Sequence, residues 1–172
     1  MSIEISYSKK TISSASANLI LFTNDKFNTG NLKRYLSSSD FAYINDILKT
    51  SDLKKNLFIF EVSSKKKIIL VSIKDNIKTS DIENLGAEFF KKVNYGKKSE
   101  YFILSDSIIS KHENFLGFFL HGLKLKSYEF EKYKTKKKTR LISIVATGNK
   151  NKPSSHHQIK FRALEEGTFY AR

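Results

Sequence analysis

Histidine and aspartate are the residue types in this sequence that could support acid–base catalysis or metal binding. His156 and His157 are adjacent, so on a helix their side chains point about 100° apart and do not share a metal ion. His112 and His121 are nine residues apart on one predicted helix, which places them on opposite faces. We interpret His156 and His157 as a surface pair, and His112 and His121 as solvated or packed side chains.

Two aspartates follow predicted strands, where α/β proteins often place functional residues. They are Asp75, after the strand at 67–73, and Asp106, after the strand at 101–104. An aspartate at the end of a strand more often caps the next element, and we interpret both in this way. The sequence lacks the glycine-rich nucleotide-binding patterns, the GxSxG pattern and cysteine. We therefore predict no catalytic and no metal-binding residue.

The strongest charge run, KYKTKKKTR at residues 132–140, is here called the basic strip. Its basic residues are Lys132, Lys134, Lys136, Lys137, Lys138 and Arg140. As a phosphate-contacting surface, the strip could make several salt-sensitive contacts with DNA or RNA. The alternative, which we favour, is a solvated turn whose lysines protect the edge of the following strand.

The whole chain of 172 residues carries a net charge of +14, which favours a polyanionic partner. However, only four of its 31 basic residues are arginines, the residue that dedicated nucleic-acid binders prefer. A bias toward A/T-rich codons also produces such a lysine-rich composition. The absence of cysteine fits a reducing compartment. We see no signal peptide and no apolar run near the ~20 residues that a membrane span needs, so we expect a cytoplasmic protein that does not bind membranes.

The hydrophobic pattern predicts strands mixed with helices along the whole chain. Strands are predicted at 3–7, 17–22, 57–62, 67–73, 101–104 and 141–146, and helices at 32–36, 41–48, 79–93, from 110 and from 154. Several strands are apolar on both faces, which indicates a sheet covered by helices on both sides. The short polar link at 63–66 predicts an antiparallel hairpin, so we predict an α/β fold with a mixed sheet.

Local signals predict where helices start and how one of them packs. Ser39 or Asp40 is predicted to cap the second helix, and Ser110 with Glu113 to form a capping box. Gly117 and Gly122 lower helix propensity, so we expect them to permit close packing of that helix on the sheet.

Two segments resemble leucyl aminopeptidases of the cytosol aminopeptidase family. Residues 122–134, GLKLKSYEFEKYK, are similar to the G-x-x-L-x-x-Y-x-F-x-x-Y-K signature near the end of that family's N-terminal domain. Residues 161–172, FRALEEGTFYAR, resemble the helix that joins this domain to the catalytic domain. Many family members have Gly-Leu-Gly where this sequence has Ser-Ile-Lys at 72–74, which weakens the case for a ligand-binding turn there.

The resemblance implies a fold and a domain organisation. The family's N-terminal domain is a three-layer α/β/α sandwich with a mixed sheet, related to macro domains. Residues 1–150 would form this domain, and 151–172 would begin the inter-domain helix. The helical pattern runs to Arg172 without a cap, so we expect further chain to dock or continue there. A nucleotide site of the macro-domain kind is disfavoured, because the glycine-rich loops are missing.

The resemblance also implies what the parent enzyme does. In this family two divalent metal ions, zinc or manganese, are held in the C-terminal domain and activate a water molecule that attacks the N-terminal peptide bond. No such motif lies in these residues, so we predict an inactive, non-catalytic domain whose partner is its own catalytic domain, with the peptide substrate bound there. The resemblance further implies a cytoplasmic homohexamer. Some bacterial members bind DNA through this domain, so the alternative function is a basic nucleic-acid-binding module.

Overall fold

A mixed six-stranded sheet forms the centre of the protein, as a computed structural model of the chain shows. The structure describes residues 2–9, 17–93, 98–128 and 141–171. The strands are β1 (Ser2–Ser8), β2 (Asn18–Asn24), β3 (Leu57–Ser63), β4 (Lys66–Ile73), β5 (Lys98–Leu104) and β6 (Leu141–Thr147). They lie in the order β1-β6-β5-β2-β4-β3. Because β3 is antiparallel to β4 and the other neighbours are parallel, the predicted hairpin and mixed sheet are confirmed.

Four α-helices accompany the sheet in the described part of the chain. They are α1 (Ser38–Thr50), α2 (Thr79–Val93), α3 (Phe115–Ser127) and α4 (Ser155–Ala171). A 3-10 turn at Gly30–Tyr35 stands where the sequence predicts the first short helix, and a second at Ser105–Ser107 follows β5. Among these described helices, none has both the length and the apolar character that crossing a membrane requires.

The larger hydrophobic core lies between the sheet and helices α2 and α3. The central strand β2 supplies Ile20 and Phe22, both fully buried on this face, because alternate residues of a strand point the same way. Phe22 contacts Phe119 of α3 edge to face, with ring centroids 5.4 Å apart. Phe89 of α2 lies 5.6 Å from the same ring. These aromatic contacts hold α2 and α3 over the centre of the sheet.

The second core covers the opposite face of the sheet. Leu21 lies between two residues of the larger core in sequence, so its side chain points to the other side. There it packs in one cluster with Ile44 and Leu48 of α1. Helices therefore cover both faces, and the predicted α/β/α arrangement with a mixed sheet is confirmed. Its likeness to macro domains stays a prediction.

Helices α2 and α3 approach each other through glycines. A Cβ on Gly122 would lie 2.0 Å from the carbonyl oxygen of Glu83 in α2, so a larger residue does not fit there. A Cβ on Gly117 would lie 2.6 Å from the ring of Phe161 in α4. The sequence predicts close packing of a helix on the sheet at these glycines. The prediction of close packing is right but its partner is wrong, because both glycines permit close packing of α3 on other helices and not on the sheet.

The cap of α1 lies two or three residues before the predicted positions, Ser39 or Asp40. Ser37 is the cap, since its Oγ accepts a hydrogen bond from the backbone N–H of Asp40 at 3.2 Å. Ser39 and Asp40 lie inside the helix. The Asp40 carboxylate is not free to cap, because it is buried in an ion pair with Lys66 at 2.6 Å. Asp40 thereby ties α1 to strand β4.

Helix α3 begins later than the capping-box signal predicts. Its first residue is Phe115, preceded by Asn114 in the left-handed conformation with φ of 58°. Ser110 and Glu113 therefore lie before the helix, and the predicted capping box is wrong. Ser110 instead accepts a hydrogen bond from the backbone N–H of His112 at 3.1 Å, which uses its hydroxyl in a local turn.

Candidate functional site

The basic strip lies outside the residues that the structure describes, because residues 129–140 are not among them. Its residues are Lys132, Lys134, Lys136, Lys137, Lys138 and Arg140. Nucleic-acid binding by these side chains therefore stays a prediction.

His112, near α3, and His157, in α4, each make local hydrogen bonds. His112 precedes α3 instead of lying on it, and its Nε2 is 3.1 Å from Thr79 Oγ1 of α2. His157 Nδ1 lies 2.8 Å from Ser154 Oγ at the start of α4. The neighbouring His156 is exposed. Hydrogen bonds to protein groups therefore account for His112 and His157, and of the predicted surface pair His156 is exposed whereas His157 is partly buried.

Asp106 stabilises a loop, as expected of a strand-end aspartate, but not the loop that directly follows it. Its Oδ1 accepts hydrogen bonds from the backbone N–H groups of Asn149 at 3.0 Å and Lys150 at 2.7 Å. Both donors come after β6, the strand next to β5 in the sheet. Asp106 thus joins the carboxyl ends of two parallel strands rather than capping the next element.

Asp75 lies in a small polar cleft of about 310 Å³ at the carboxyl end of β4. Lys74, at the position where many family members have glycine, lines the same cleft. On its α2 side, Glu88 Oε2 accepts a hydrogen bond from Asn56 Nδ2 at 3.0 Å. Asp75 and Lys74 are both exposed. Because water surrounds their charged groups, the electrostatic interaction of these groups with a ligand would be weak.

A larger cleft of about 630 Å³ lies between strand β1 and helix α4, with α3 at its base. We call it the β1–α4 cleft. Apolar side chains from three elements line it: Ile3 and Ile5 of β1, Leu120 of α3, and Ile159 and Phe161 of α4. The cleft also contains the polar residues Tyr7, His121, Lys124 and Glu165. Glu4, Ser155, Gln158, Arg162 and Glu166 line it as well, so most of the residues that line the cleft are polar.

A buried carboxylate organises the polar part of this cleft. Glu165 of α4 is 5% exposed, and each of its oxygens has a partner on α3. His121 Nδ1 lies 3.0 Å from Oε1, and Lys124 Nζ lies 2.8 Å from Oε2. Because an ionised carboxylate only accepts hydrogen bonds, His121 carries a proton on Nδ1. In the neutral ring, Nε2 is then left with a lone pair.

Tyr7 adds a hydroxyl group beside this cluster. Burial, and then the negative charge of Glu165, raise the pKa of Tyr7 to about 12. The phenol therefore keeps its proton at neutral pH and can donate a hydrogen bond. The β1–α4 cleft thus contains a buried carboxylate that is already paired and a phenol that keeps its proton.

Sequence reasoning missed this cluster, because its members come from three distant parts of the chain. His121 is interpreted from sequence as solvated or packed, and the structure shows it packed against the ring of Phe161 at 5.1 Å. One signal was available. Glu165 lies four residues after Phe161, on the same face of α4, and these two are the buried residues of that helix. Because a glutamate is rarely buried unless it is paired, a position on the same helix face as Phe161 indicates that Glu165 has a partner if that face is buried.

Metal ligands are not assembled in the described ranges. Within residues 2–9, 17–93, 98–128 and 141–171, no three His, Cys, Asp or Glu side chains are grouped so that they could hold a metal ion. The pair of divalent ions that the family resemblance implies therefore finds no fitting ligand set in the described part of the chain.

Comparison with solved structures shows where the same fold occurs. A mutant of tomato leucine aminopeptidase superposes with a TM-score of 0.61 at 15% identity, over 95% of this chain and 36% of that chain. The bottromycin maturation enzyme BotP in complex with Mn gives 0.57 at 11% identity, over 92% and 31%. Another BotP structure gives 0.58 at 10% identity, over 92% and 32%. This chain therefore spans about a third of the length of these enzymes.

The comparison of sequences is more specific than these superpositions, which at such identities show only the fold. No curated protein matches the chain. However, the sequence model of the N-terminal domain of the cytosol aminopeptidase family matches residues 19–137. This range includes strand β2 except its first residue, strands β3 to β5 and helices α1 to α3. The chain therefore belongs to the cytosol aminopeptidase family, of which it carries the N-terminal domain.

Proposed function

We propose that this chain is the non-catalytic N-terminal domain of a leucyl aminopeptidase that releases N-terminal amino acids from peptides. The catalytic domain would carry two zinc or manganese ions and the substrate. The domain described here would pack beside it and help to shape assembly and substrate access in a cytoplasmic homohexamer.

The match to the family's N-terminal domain is the observation that carries this proposal. The contacts that the buried or bonded carboxylates of the chain make within the fold also support it. Asp106 holds a loop through two backbone N–H groups, Asp40 is paired with Lys66, and Glu165 is held by two side chains of α3. Each of these three carboxylates therefore makes contacts that stabilise the fold.

Hydrolysis of leucine p-nitroanilide tests the proposal. The purified 172-residue chain, shown to be folded by circular dichroism, is assayed with Mn²⁺ or Zn²⁺ beside a complete leucine aminopeptidase as the positive control. We expect the complete enzyme to hydrolyse the substrate and the purified chain to leave it intact. Saturable hydrolysis that depends on metal and follows the chain through purification would show that this domain is itself catalytic, and would overturn the proposal.

The net charge of +14 favours a second candidate function, the binding of nucleic acid through the basic strip. Replacement of Lys136, Lys137 and Lys138 by alanine removes three positive charges from the strip. If the strip contacts phosphates, binding to a DNA duplex in gel shifts should weaken steeply with salt, and the triple variant should show a shallower salt dependence. The absence of any shift at low salt would exclude this function.

A further inference from the structure

Strand β1 forms an outer edge of the sheet that lacks the usual protection. Among the described residues it pairs with β6 alone, so alternate residues direct their backbone N–H and C=O groups away from the sheet. Natural edge strands usually carry lysine, proline or a bulge that prevents further pairing. The opposite edge, β3, has such an irregularity between Glu61 and Ser63. Strand β1, SIEISYS, contains no lysine or proline and pairs with β6 without a register shift.

Helix α4 lies at the same side of the molecule. Helix α3 meets α2 where Gly122 approaches Glu83, and it meets α4 where Gly117 approaches Phe161. These two glycines are about 140° apart around α3, so α4 packs on the side of α3 that is directed away from α2. Because β1 and α4 are the two walls of the β1–α4 cleft, α4 is the outermost of these three helices on the β1 side of the sheet.

The side of α4 that points away from α3 is exposed and carries no charge. Phe161 and Glu165 face α3. At about 100° per residue, four residues lie at least about 140° from the middle of that buried side. We call them the outer strip: Ile159, Ala163, Gly167 and Tyr170. Ile159 is 68% and Tyr170 92% exposed, and no described atom lies within 4 Å of a Cβ on Gly167.

The edge of β1 and the outer strip fit a partner that has the same two layers. A strand completes the hydrogen bonds of an edge strand, and an apolar helix face covers an exposed apolar helix face. A second copy of the chain carries both elements at the same spacing. A two-fold axis perpendicular to the sheet therefore brings strand to strand and helix to helix at once.

We propose that this chain forms a symmetric homodimer in which β1 pairs antiparallel with β1 of a second copy, and the outer strips of the two α4 helices pack against each other. The two six-stranded sheets then join into one. The dimer is independent of the proposed function, because it uses only surface of this chain.

Side-chain complementarity selects one register of the two β1 strands. With Ile5 opposite Ile5 of the second copy, all seven residues of β1 pair. Ile3 then lies opposite Tyr7, which is a favourable aromatic pair with a β-branched residue, and the apolar side chains stay on the face that the helices cover. Glu4, the one charged residue of β1, lies opposite Ser6, so no like charges meet.

The contact between the helices adds to that of the strands. The antiparallel arrangement places Ile159 opposite Tyr170, with the small residues Ala163 and Gly167 between them, which allows the helices to approach closely. Strand and strip together supply about a dozen residues per copy, roughly half of a standard interface. We therefore expect a dimer of moderate affinity, with a Kd of about 10 µM.

Analytical ultracentrifugation of the 172-residue chain between about 1 and 500 µM tests the association. We expect the mass to rise with concentration from 19.8 kDa to twice that value. Tyr170→Glu buries a charge in the helix contact and should raise the Kd at least about tenfold. Tyr43→Glu is the matched control, because Tyr43 is an exposed tyrosine on α1, on the opposite face of the sheet, and its Kd should equal that of the unmodified chain.

Two substitutions of Ser6 test the register. Ser6→Glu places like charges opposite each other at both symmetry-related pairs with Glu4, and should raise the Kd about tenfold. Ser6→Lys places opposite charges there and should lower the Kd about fivefold. Ser64→Glu changes an exposed serine in the turn between β3 and β4, at the other edge of the sheet, and should leave the Kd unchanged.

Disulfide formation locates the two-fold axis. The chain has no cysteine, so Ile5→Cys gives each copy a single thiol, which lies directly opposite that of the second copy and within reach of a disulfide. Oxidation should therefore link this variant into a covalent dimer. In the control Ile3→Cys, the two thiols would be about 13 Å apart and should not link.

Any one of four results would overturn the proposal. The chain stays monomeric at the highest concentration, which leaves the surface to a different occupant such as another domain. Tyr170→Glu and Tyr43→Glu have the same Kd. The two Ser6 substitutions shift the Kd in the same direction. Ile3→Cys links as readily as Ile5→Cys. The amide proton spectrum shows whether each variant is folded, and if Ile5→Cys does not fold, the Ser6 substitutions decide the register.

Discussion

Gly122 of α3 and Glu83 of α2 are in backbone contact, so that a Cβ on Gly122 would be 2.0 Å from the Glu83 carbonyl oxygen. The contact is reciprocal. A Cβ on Gly86 of α2 would lie 2.0 Å from the carbonyl oxygen of Phe119 in α3. Two glycines on facing helices therefore set the distance between α2 and α3, and the larger hydrophobic core depends on that distance.

Substitution of Gly122 by alanine should destabilise the protein strongly. The obstacle is backbone of a packed helix, which cannot rotate away, so α2 and α3 must separate over the core. We expect a loss of about 3 kcal/mol in the free energy of unfolding, measured by urea denaturation. Gly167→Ala is the control, because nothing lies within 4 Å of a Cβ there, and it should gain about 0.5–1 kcal/mol from helix propensity. Equal effects would contradict this role for Gly122.

Substitution of Asp40 by asparagine should lower the free energy of unfolding, because it leaves a buried charge unpaired. The Asp40 and Lys66 side chains are only 7% and 8% exposed, so the variant leaves a buried ammonium without its counter-charge. We expect a loss of about 3 kcal/mol at pH 7. Asp46→Asn breaks an ion pair whose side chains are each 74% exposed, and should cost under about 0.5 kcal/mol.

The ion pair of Asp40 with Lys66 also predicts how the free energy of unfolding depends on pH. Burial alone would raise the pKa of Asp40, but the hydrogen bonds with Lys66 and Ser37 outweigh it, so the pKa lies below its ordinary value. A depressed pKa contributes stability above the unfolded-state pKa of about 3.9, and this contribution is lost as pH falls through the folded-state pKa. The unfolding free energy of Asp40→Asn should therefore fall less steeply below about pH 4 than that of the unmodified chain.

Substitution of Glu165 by glutamine should loosen α4 without unfolding the sheet. The carboxylate accepts from two side chains of α3, and the amide of glutamine offers a donor in place of one of those acceptors. Backbone amides of α4 should exchange with solvent at least about tenfold faster, whereas those of β2 should not change. Glu166→Gln is the matched control, since Glu166 is exposed and pairs only with Arg162 on its own helix. Unchanged exchange in Glu165→Gln would show that α4 does not depend on the buried pair.

Tyr7 predicts a loss of stability at high pH. Its pKa is raised to about 12 by burial and, secondly, by Glu165. A raised pKa contributes stability that is fully present below the unfolded-state pKa of about 10 and is lost as pH rises toward 12. Tyr7→Phe should remove this part of the pH dependence. The difference in phenolate absorbance between the two proteins should show one tyrosine that titrates near pH 12, and titration near pH 10 would contradict the buried position.

The element order could be predicted from sequence because local patterns determine it. The buried strand at β2 is a nearly continuous apolar run, and the amphipathic pattern from Thr79 to Val93 coincides with α2. The hairpin of β3 and β4 follows from a short polar link between two apolar runs. Each signal lies within about fifteen residues, the range over which periodicity is informative.

The helix starts show where local signals fail. Ser39, Asp40 and Ser110 are all good capping residues by type, but tertiary contacts decide which residue caps. The carboxylate of Asp40 is occupied by Lys66, so Ser37 caps α1. Likewise, the glycines of α3 indicate a close approach but do not identify the approaching element.

The β1–α4 cleft could not be predicted, because it forms only when distant segments meet. Tyr7, His121 and Glu165 lie at the beginning, in the later middle and near the end of the sequence. No motif joins them, since pairing across two packed helices has no fixed spacing. The basic strip is the reverse case, a strong local signal in residues that the structure does not describe.

The pairing of β1 with β6 determines when the sheet can be completed. Ser2 pairs with Leu141 and Ser8 with Thr147, so β1 and its partner strand are separated by all the other strands of the sheet in chain order. Until then, Ile3, Ile5 and Tyr7 lack the strand and the helices against which they pack. Contacts so distant in sequence form slowly, and exposed strand edges promote aggregation. The growing chain therefore has to hold an apolar strand in solution until β6 has been made, and the β1–α4 cleft can form only once α4 is present as well.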